Sequence, residues 1–390
     1  MKASINSGGS LLHISHTDIR YDSRILKELH ALETFHDYRR VAIGVNREEG
    51  ATFSEQSSNA RIITIRLATK ALGFLPRALR YGLNFIELTA VLFFRGLALK
   101  PKVVHCHDTL VLPAGLLIKV VTGCRLVYDA HELESNKNAQ TPLLSKGTLI
   151  IEKVCWGQVD LLVSVSDAII AWYVNHLGAK AHILVLNSPE LSLDPSRRLR
   201  SQESGKYFHR LYGIPEDELV FLYLGILGAG RGIEICLETF SEPSLAAHVV
   251  FVGYGELSTR IDSYCGKHLN IHLHEPVPHE QVVSLARNAD FGLCLVENVS
   301  LSDYFCLPNK LFEYCFAGLP VIASDFPEIR RVVESYSLGI CCAPDASNVR
   351  ATIRSVIRRR PPAIVKDLSE VSWSAQAGRL RRAYVNLLES

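Results

Sequence analysis

Charge of one sign, a long apolar run and paired cysteines are all scarce in this chain. Forty-two Lys and Arg stand against forty Asp and Glu over 390 residues, a formal net charge of +2, which argues against a generic nucleic-acid binder. The N-terminal residues 1–9 lack the long apolar core of a signal peptide. The most apolar stretch, 81–94, is shorter than the roughly 20 residues a spanning helix needs, and Asn84 and Glu87 interrupt it. Arg77, Arg80, Arg95, Lys100 and Lys102 flank it. It reads either as an amphipathic helix lying on an anionic membrane or as a core helix with basic ends, the second being preferred. Ten cysteines form no CxxC pair and no cysteine–histidine spacing suited to zinc. They read as structural thiols in a reduced, cytoplasmic setting, with the adjacent Cys341 and Cys342 on opposite faces of one strand. No short internal repeat is evident.

What the chain has is alternation. With 48% hydrophobic residues it is globular, and its length suggests two domains. Apolar strands are expected near 11–15, 41–45, 62–65, 103–107, 126–131, 161–166 and 183–187, with helices over 23–34, within 68–99 and over 114–121. The stretch 190–211 is rich in Ser, Arg, Glu and Pro and has no clear apolar period. The alternation then restarts at 220–225 and continues at 249–253, 271–273, 291–295, 321–323 and 339–342. Apolar strands alternating with helices mean parallel sheets covered on both faces. The expected plan is an α/β domain over 1–190, a linker over 191–214, a second α/β domain over 215–370, and a last helix within 371–390 that packs back on the first domain.

Ligands of open α/β sheets bind at the carboxyl ends of the strands. In the first half those ends hold Ser15 and His16, the run His105-Cys106-His107-Asp108, the run Asp129-Ala130-His131-Glu132, residues 164–167, and Asn187 with Ser188. In the second half a strand ending at Gly225 leads through Gly228, Gly230, Arg231 and Gly232 into a helix. Glycines let backbone approach a phosphate, and free N–H groups at a helix start favour anionic oxygens. An arginine there can hold a diphosphate in two places. The glycine order is not the dinucleotide fingerprint and no GK[ST] follows, so the loop alone is equally a turn with a surface arginine. The run Pro308-Asn309-Lys310-Leu311-Phe312-Glu313-Tyr314 opens an apolar helix closed by Gly318. Glu313 would suit the positive end of the helix dipole, with Lys310 solvated, unless both serve a ligand. Arg354, Arg358, Arg359 and Arg360 read as a solvated helix end.

The order of these motifs resembles the GT-B glycosyltransferases of the group-1, or GT4, type. It comprises the glycine loop with Arg231-Gly232, Val252-Gly253-Tyr254-Gly255-Glu256, Ala286-Arg287-Asn288-Ala289-Asp290, the Pro308–Tyr314 run and Ala317-Gly318-Leu319-Pro320 leading into a strand. The Asp22–Leu29 run, the His105–Asp108 tetrad, the Tyr128–Glu132 run and Trp373-Ser374-Ala375-Gln376 extend the likeness over almost the whole chain. The resemblance implies two Rossmann-like domains facing a cleft and transfer of a sugar from a nucleotide-diphosphate donor, with retention, to a saccharide or lipid-linked saccharide. It implies that Glu313 holds the ribose hydroxyls, that Arg231 and Lys310 face the diphosphate with Gly228, Gly230, Asn309 and Leu311 around them, and that His131 acts beside the donor sugar as the catalytic residue. Fixed cations and backbone donors stabilise the departing diphosphate, so no metal is required. A lipid-linked acceptor implies the cytoplasmic face of the membrane, and nucleic acid is no partner. A sugar-nucleotide epimerase and a non-catalytic nucleotide-sugar-binding subunit are the alternatives on this fold.

Two positions depart from the family pattern. Phe305 stands where a glutamate commonly contacts the donor sugar, leaving Asp303 or the backbone of residues 306–309 for that contact. The glycine turn that often follows the first strand is absent, with Gly8 and Gly9 before the strand and residues 17–21 after it.

Overall fold

The computed structural model describes residues 8–46, 54–57, 60–189, 206–359 and 367–389. The chain divides into two compact units, Met1–Leu186 with Gln376–Ser390, and Asn187–Ala375. In the first, the described residues form an eight-stranded sheet of order β3-β4-β2-β1-β5-β6-β7-β8. Its strands are β1 (Ser10–Ser15), β2 (Arg39–Val45), β3 (Ser54–Ser57), β4 (Ala60–Ile65), β5 (Pro101–His107), β6 (Arg125–Ala130), β7 (Leu161–Ser164) and β8 (His182–Leu184). All neighbours are parallel except the edge pair β3 and β4, a short hairpin that the polar sequence around 54–57 does not announce. β1 is wholly buried and lies between β2 and β5, so the strand order reverses there.

The second unit carries a six-stranded parallel sheet of order β11-β10-β9-β12-β13-β14. Its strands are β9 (Leu219–Leu224), β10 (Ala247–Val252), β11 (Ile271–His274), β12 (Phe291–Cys294), β13 (Val321–Ser324) and β14 (Gly339–Cys342). β9, β10, β12 and β13 are buried along their whole length, as a sheet covered on both faces requires. The order reverses between β9 and β12. Ile233, Leu237, Phe240, Val349 and Ile353 pack on one face of this sheet, from helices Ile233–Phe240 and Ala346–Arg358.

Three expectations are altered. Residues 207–212, assigned to the linker, form a helix (Tyr207–Tyr212) whose Phe208 is fully buried. Linker residues 191–205 and Arg360 lie outside the described residues. The helix expected over 23–34 ends at Ala31 and tightens into a 3-10 turn at Leu32–Thr34. The stretch preferred as a core helix is instead the middle of a 22-residue surface helix, Arg77–Ala98, long and apolar enough to cross a membrane by length and composition. Only Leu88, Leu92 and Gly96 are buried on it. Gly96 permits a close approach, since a Cβ there would lie 2.5 Å from Ile118 Cδ1 of helix Leu112–Thr122.

Candidate active site

At the reversal point of the second sheet, β9 and β12 pair only at Phe291–Phe221 and Gly292–Leu222 before they part. Tyr314, on helix Asn309–Ala317, fills the gap. Its hydroxyl accepts from Leu224 N–H at 2.8 Å and faces the carbonyls of Leu222 at 2.9 Å and Leu293 at 3.3 Å. These backbone groups are buried, and one phenol replaces the ladder partners lost where the strands separate. The ring needs room that only glycine leaves, because a Cβ on Gly292 would lie 2.3 Å from Tyr314 Cγ. The anchor fixes the helix that carries Lys310 and Glu313, one turn and one residue before Tyr314.

Lys310 is 9% exposed, and its ammonium sits 3.7 Å from the Tyr223 ring centroid, a cation–π seat at the end of β9. The Tyr223 hydroxyl points at the carbonyls of Arg231 at 3.0 Å and Ile226 at 3.3 Å, drawing together both ends of the glycine loop. Burial pushes the Tyr223 phenol up, against the opposing pull of Lys310. Burial likewise pushes the Cys306 thiol up, while Arg231 and Lys310 both act in the opposite sense, so the two cations share one neighbourhood. Glu313 is also 9% exposed, with Oε1 3.8 Å from His279 Nδ1 of helix His279–Ala286.

The glycine loop is built rather than loose. Gly230 and Gly232 have φ of 76° and 78°, the left-handed region that glycine alone enters freely. Gly232 N–H donates to Glu297 Oε1 at 3.2 Å, and Glu297 N–H donates to Gly230 O at 3.0 Å. The second glycine turn locks onto it. Leu227 N–H donates to Tyr254 O and Leu257 N–H to Leu227 O, both at 2.9 Å, and Ala229 N–H reaches Glu256 Oε1 at 3.2 Å.

Gly228, Gly230, Arg231, Lys310 and Glu313 thus gather around the end of β9 and the helix that Tyr314 pins. Asn309 is exposed at the first turn of that helix. Leu311 differs: its side chain is fully buried and its N–H donates to Pro308 O at 3.0 Å, so it is core. Asp303 lies in the short helix Leu301–Tyr304 that Ser300 caps: the Ser300 hydroxyl accepts from Asp303 N–H at 3.1 Å and donates to Asp303 Oδ2 at 2.5 Å. Tyr223, Glu297 and Tyr314 escaped the sequence reading; Gly292 inside an apolar strand was the one signal of a large neighbour.

In the first unit, His131 follows β6 and belongs to a larger assembly. Asp129, fully buried, takes a two-point hold from Arg24, with Nε to Oδ2 at 3.0 Å and Nη2 to Oδ1 at 2.8 Å. Arg24 also donates to Val185 O at 2.9 Å. His131 Nε2 lies 3.0 Å from Asp129 Oδ2, and its Nδ1 3.7 Å from Asp108 Oδ1. Burial opposes charge on the imidazole, but Asp108 and Asp129 outweigh it and raise His131 to about 10. Burial likewise favours a neutral Asp129, yet Arg24 and His131 hold its carboxyl well below the usual range. His131 is therefore an imidazolium near neutral pH, a fixed cation and donor at a strand end. Asp108 adopts φ 68°, an unusual conformation for aspartate. This places its carboxylate 3.7 Å from His131 Nδ1 and 3.9 Å from His16 Nδ1.

Two α/β sheets of this kind, each reversing order at a buried central strand, define the GT-B class. The fold is shared by sucrose-phosphate synthase (tll1590) from Thermosynechococcus elongatus, at 16% identity and TM-score 0.76, with 98% of this chain and 99% of that one covered. Anabaena Alr3699/HepE, in a structure described as a complex with UDP-glucose, aligns at 13% identity and TM-score 0.70 over 97% of this chain and 100% of that one. An α,α-trehalose-phosphate synthase (UDP-forming) from Burkholderia vietnamiensis aligns at 12% identity and TM-score 0.67, covering 97% and 99%. At such identities the likeness speaks for the fold. No curated protein matches the chain. Residues 207–368 match the family described as Glycosyl transferases group 1. The second unit belongs to that family, and the chain is a glycosyltransferase.

Proposed function

We propose that this enzyme takes a sugar from a nucleotide-diphosphate donor and transfers it, with retention, to a saccharide or lipid-linked saccharide during glycan assembly, as GT4-type enzymes do. The observation that carries the reading is the buried Lys310 ammonium on the Tyr223 ring beside the loop that holds Arg231. Two cations near a glycine-rich turn suit a diphosphate, whose charge grows as the anomeric C–O bond breaks. Gly228 and Gly230 let backbone approach those oxygens, Asn309 stands at the mouth of the same helix, and Glu313 accepts from the ribose hydroxyls. Relatives described with UDP or UDP-glucose support a donor of this class. In this reading His131, an imidazolium in the first unit, acts beside the donor sugar, and the cations remove the need for a metal.

The surface of the first unit favours a lipid-linked acceptor. Leu79, Tyr81, Ile86 and Phe94 are exposed on helix Arg77–Ala98, and Leu117, Val120 and Val121 on the helix packed against it. With Arg77, Arg80 and Arg95 on the same helix, this suits peripheral association with an anionic membrane at its cytoplasmic face.

The test is a panel of NDP-sugars read by nucleotide release, with Glu313→Ala and Lys310→Ala as controls and the product anomer assigned by NMR. Failure to bind or turn over any NDP-sugar would refute the activity. Unimpaired turnover in both variants would refute the site. Flotation with vesicles containing anionic lipid, but not with neutral vesicles, is the expected result for the membrane.

A further inference from the structure

Behind His131 the core of the first unit holds an uncommon row of side chains. His13 on β1 pairs in register with His105 on β5, and His107 lies two residues on, facing the same way. The rings stack, with centroids 4.5 Å apart for His13–His105 and for His105–His107. All three imidazoles are 0% exposed. Helix Trp373–Glu389 adds Tyr384, also 0% exposed.

The polar atoms of this row form a single file. His131 Nε2 is 3.2 Å from His107 Nδ1, and His107 Nε2 is 2.9 Å from His13 Nδ1. His13 Nε2 is 3.4 Å from the Tyr384 hydroxyl, which is 2.8 Å from His105 Nδ1. His105 Nε2 then faces Glu28 Oε2 and Asp129 Oδ2, each across 3.7 Å, too far for a hydrogen bond. His105 Nε2 and both Glu28 oxygens are buried without a hydrogen-bond partner among the described residues. Every interior member faces a neighbour on each side, His107 Nδ1 facing Asp129 Oδ2 at 3.3 Å as well as His131, so a neutral imidazole that donates on one side must accept on the other.

We propose that His107, His13, Tyr384 and His105 are positioning residues that act through His131, forming one hydrogen-bonded file whose polarity decides which nitrogen of His131 keeps its proton once the imidazolium has given one up, and which couples that ring to the buried carboxyl of Glu28. The inference rests on the placement of His131 beside the donor sugar. Two arrangements run in a single direction along the whole file. In one, Glu28 keeps its proton, His105 donates through Nδ1 to Tyr384, Tyr384 to His13 Nε2, His13 through Nδ1 to His107 Nε2, and His107 through Nδ1 toward Asp129 and His131. In the other, every donor is reversed.

Passing from the first to the second balances atom by atom. Glu28 gives its proton to His105 Nε2, and His105 Nδ1 gives one to the Tyr384 oxygen. Tyr384 gives its own to His13 Nε2, His13 Nδ1 gives one to His107 Nε2, and His107 Nδ1 gives one to a His131 Nε2 that has lost its proton. No residue gains or loses a net proton except Glu28, which loses one, and His131, which gains one. The open 3.7 Å link is the one that must shorten. Burial, then Asp129, raises Glu28 to about 8 against Arg24, which keeps a proton at that end near neutral pH. Burial and the neighbouring His107 lower His105 to about 3, in keeping with a neutral ring inside the file.

The same residues, His13, Glu28, His105 and His107, bring metal-ligating atoms within 4.8 Å of one another. The facing nitrogens of His13 and His107 already bond each other, however, and the Arg24 guanidinium stands 3.1 Å from Glu28 Oε1, a cation where a metal needs an unopposed carboxylate.

The test uses the full chain with 15N-labelled histidine, comparing wild type with Tyr384→Phe, which cuts the file in the middle, and Glu28→Gln, which removes the proton at its end. The charged and titratable groups around His131 are Asp108, Asp129, Arg24, His107, His16, Lys137 and Glu28; Tyr384→Phe alters none of these and is the deciding variant, whereas Glu28→Gln also removes a direct electrostatic partner of His131. We expect Tyr384→Phe to move the ring-nitrogen shifts of His131 and His107 while leaving those of His248 in place. It should lower kcat about tenfold with donor KM changed less than about twofold, and move the alkaline limb of the pH–rate profile by about one unit. Glu28→Gln should move the same limb. Shifts and profiles that superimpose on wild type in Tyr384→Phe would overturn the proposal, as would one zinc ion per chain retained through purification. Should the chain transfer no sugar, the nitrogen shifts still decide whether the file exists, so the two readings fail separately.

Discussion

Replacing Tyr314 by Phe removes one oxygen atom and leaves the ring where it is. In the native protein that oxygen accepts from Leu224 N–H at 2.8 Å and faces Leu222 O at 2.9 Å, with Leu293 O behind at 3.3 Å. Leu222 is 0% and Leu224 3% exposed, so water cannot take over. A buried donor or acceptor left unpaired costs about 1–3 kcal/mol, so two of them put the loss at about 2–6 kcal/mol, well above the roughly 1 kcal/mol of an ordinary hydrogen bond. Hydrogen–deuterium exchange on the full chain reads this locally, since the peptide spanning β9 reports the second unit and the one spanning β1 serves as internal reference. At 1.36 kcal/mol per factor of ten, exchange in β9 should quicken about thirtyfold or more while β1 stays unchanged. Nucleotide affinity should fall as well, because the same helix carries Lys310 and Glu313. A β9 effect below about fivefold, corresponding to less than about 1 kcal/mol, would refute the view that the phenol replaces missing ladder partners.

Other consequences are equally open to measurement. Lys310→Ala should lower kcat/KM for the NDP-sugar by about a hundredfold or more in the nucleotide-release assay, and a value near wild type would remove Lys310 from the diphosphate site. Gly232→Ala forces a Cβ to 2.6 Å from Leu295 Cβ at φ 78°, and should destabilise the second unit by about 1–3 kcal/mol in chemical denaturation. His131 titrates in the folded chain at about 10 against an ordinary 6.5. A raised value contributes stability that is fully present below pH 6.5 and is lost as pH rises through about 10. Denaturation midpoints of wild type should therefore fall between about pH 7 and pH 11, and His131→Gln should flatten that fall. An unchanged slope in the variant would place the titrating group elsewhere.

Most of the sheet framework was legible because its strands are short apolar runs bounded by glycine or polar clusters, as at 249–253 and 321–323. The reversal points followed only from the pairing of β1 with β5 and of β9 with β12, which no local pattern encodes. Lys310 and Glu313 could be singled out by motif, yet what holds them could not. Tyr314 looked like one more apolar residue of a helix, and Tyr223 like one more in a strand. The stretch around 81–94 was misjudged because hydropathy does not distinguish a face buried by protein from one left exposed. His13 passed unnoticed for a related reason: it sits inside a buried strand, and only the register of β1 against β5 brings it to His105. Long-range pairing decides such cases, and sequence spacing is silent about it.

The two glycine turns of the second unit carry a consequence for how a nucleotide is met. A Cβ at Gly253 would lie 1.9 Å from Gly225 O, and one at Gly255 2.3 Å from Leu227 O, so the turns touch backbone to backbone. Hydrogen bonds run between them in both directions. If the loop binds the donor diphosphate as proposed, a turn fixed in this way has already given up its freedom, about 1–2 kcal/mol for each residue ordered, during folding and not at the moment of binding. Donor association should therefore show little loop-ordering entropy, and insertions or side chains added to either turn should be tolerated only with a matching change in the other. The two turns form a single backbone-to-backbone unit.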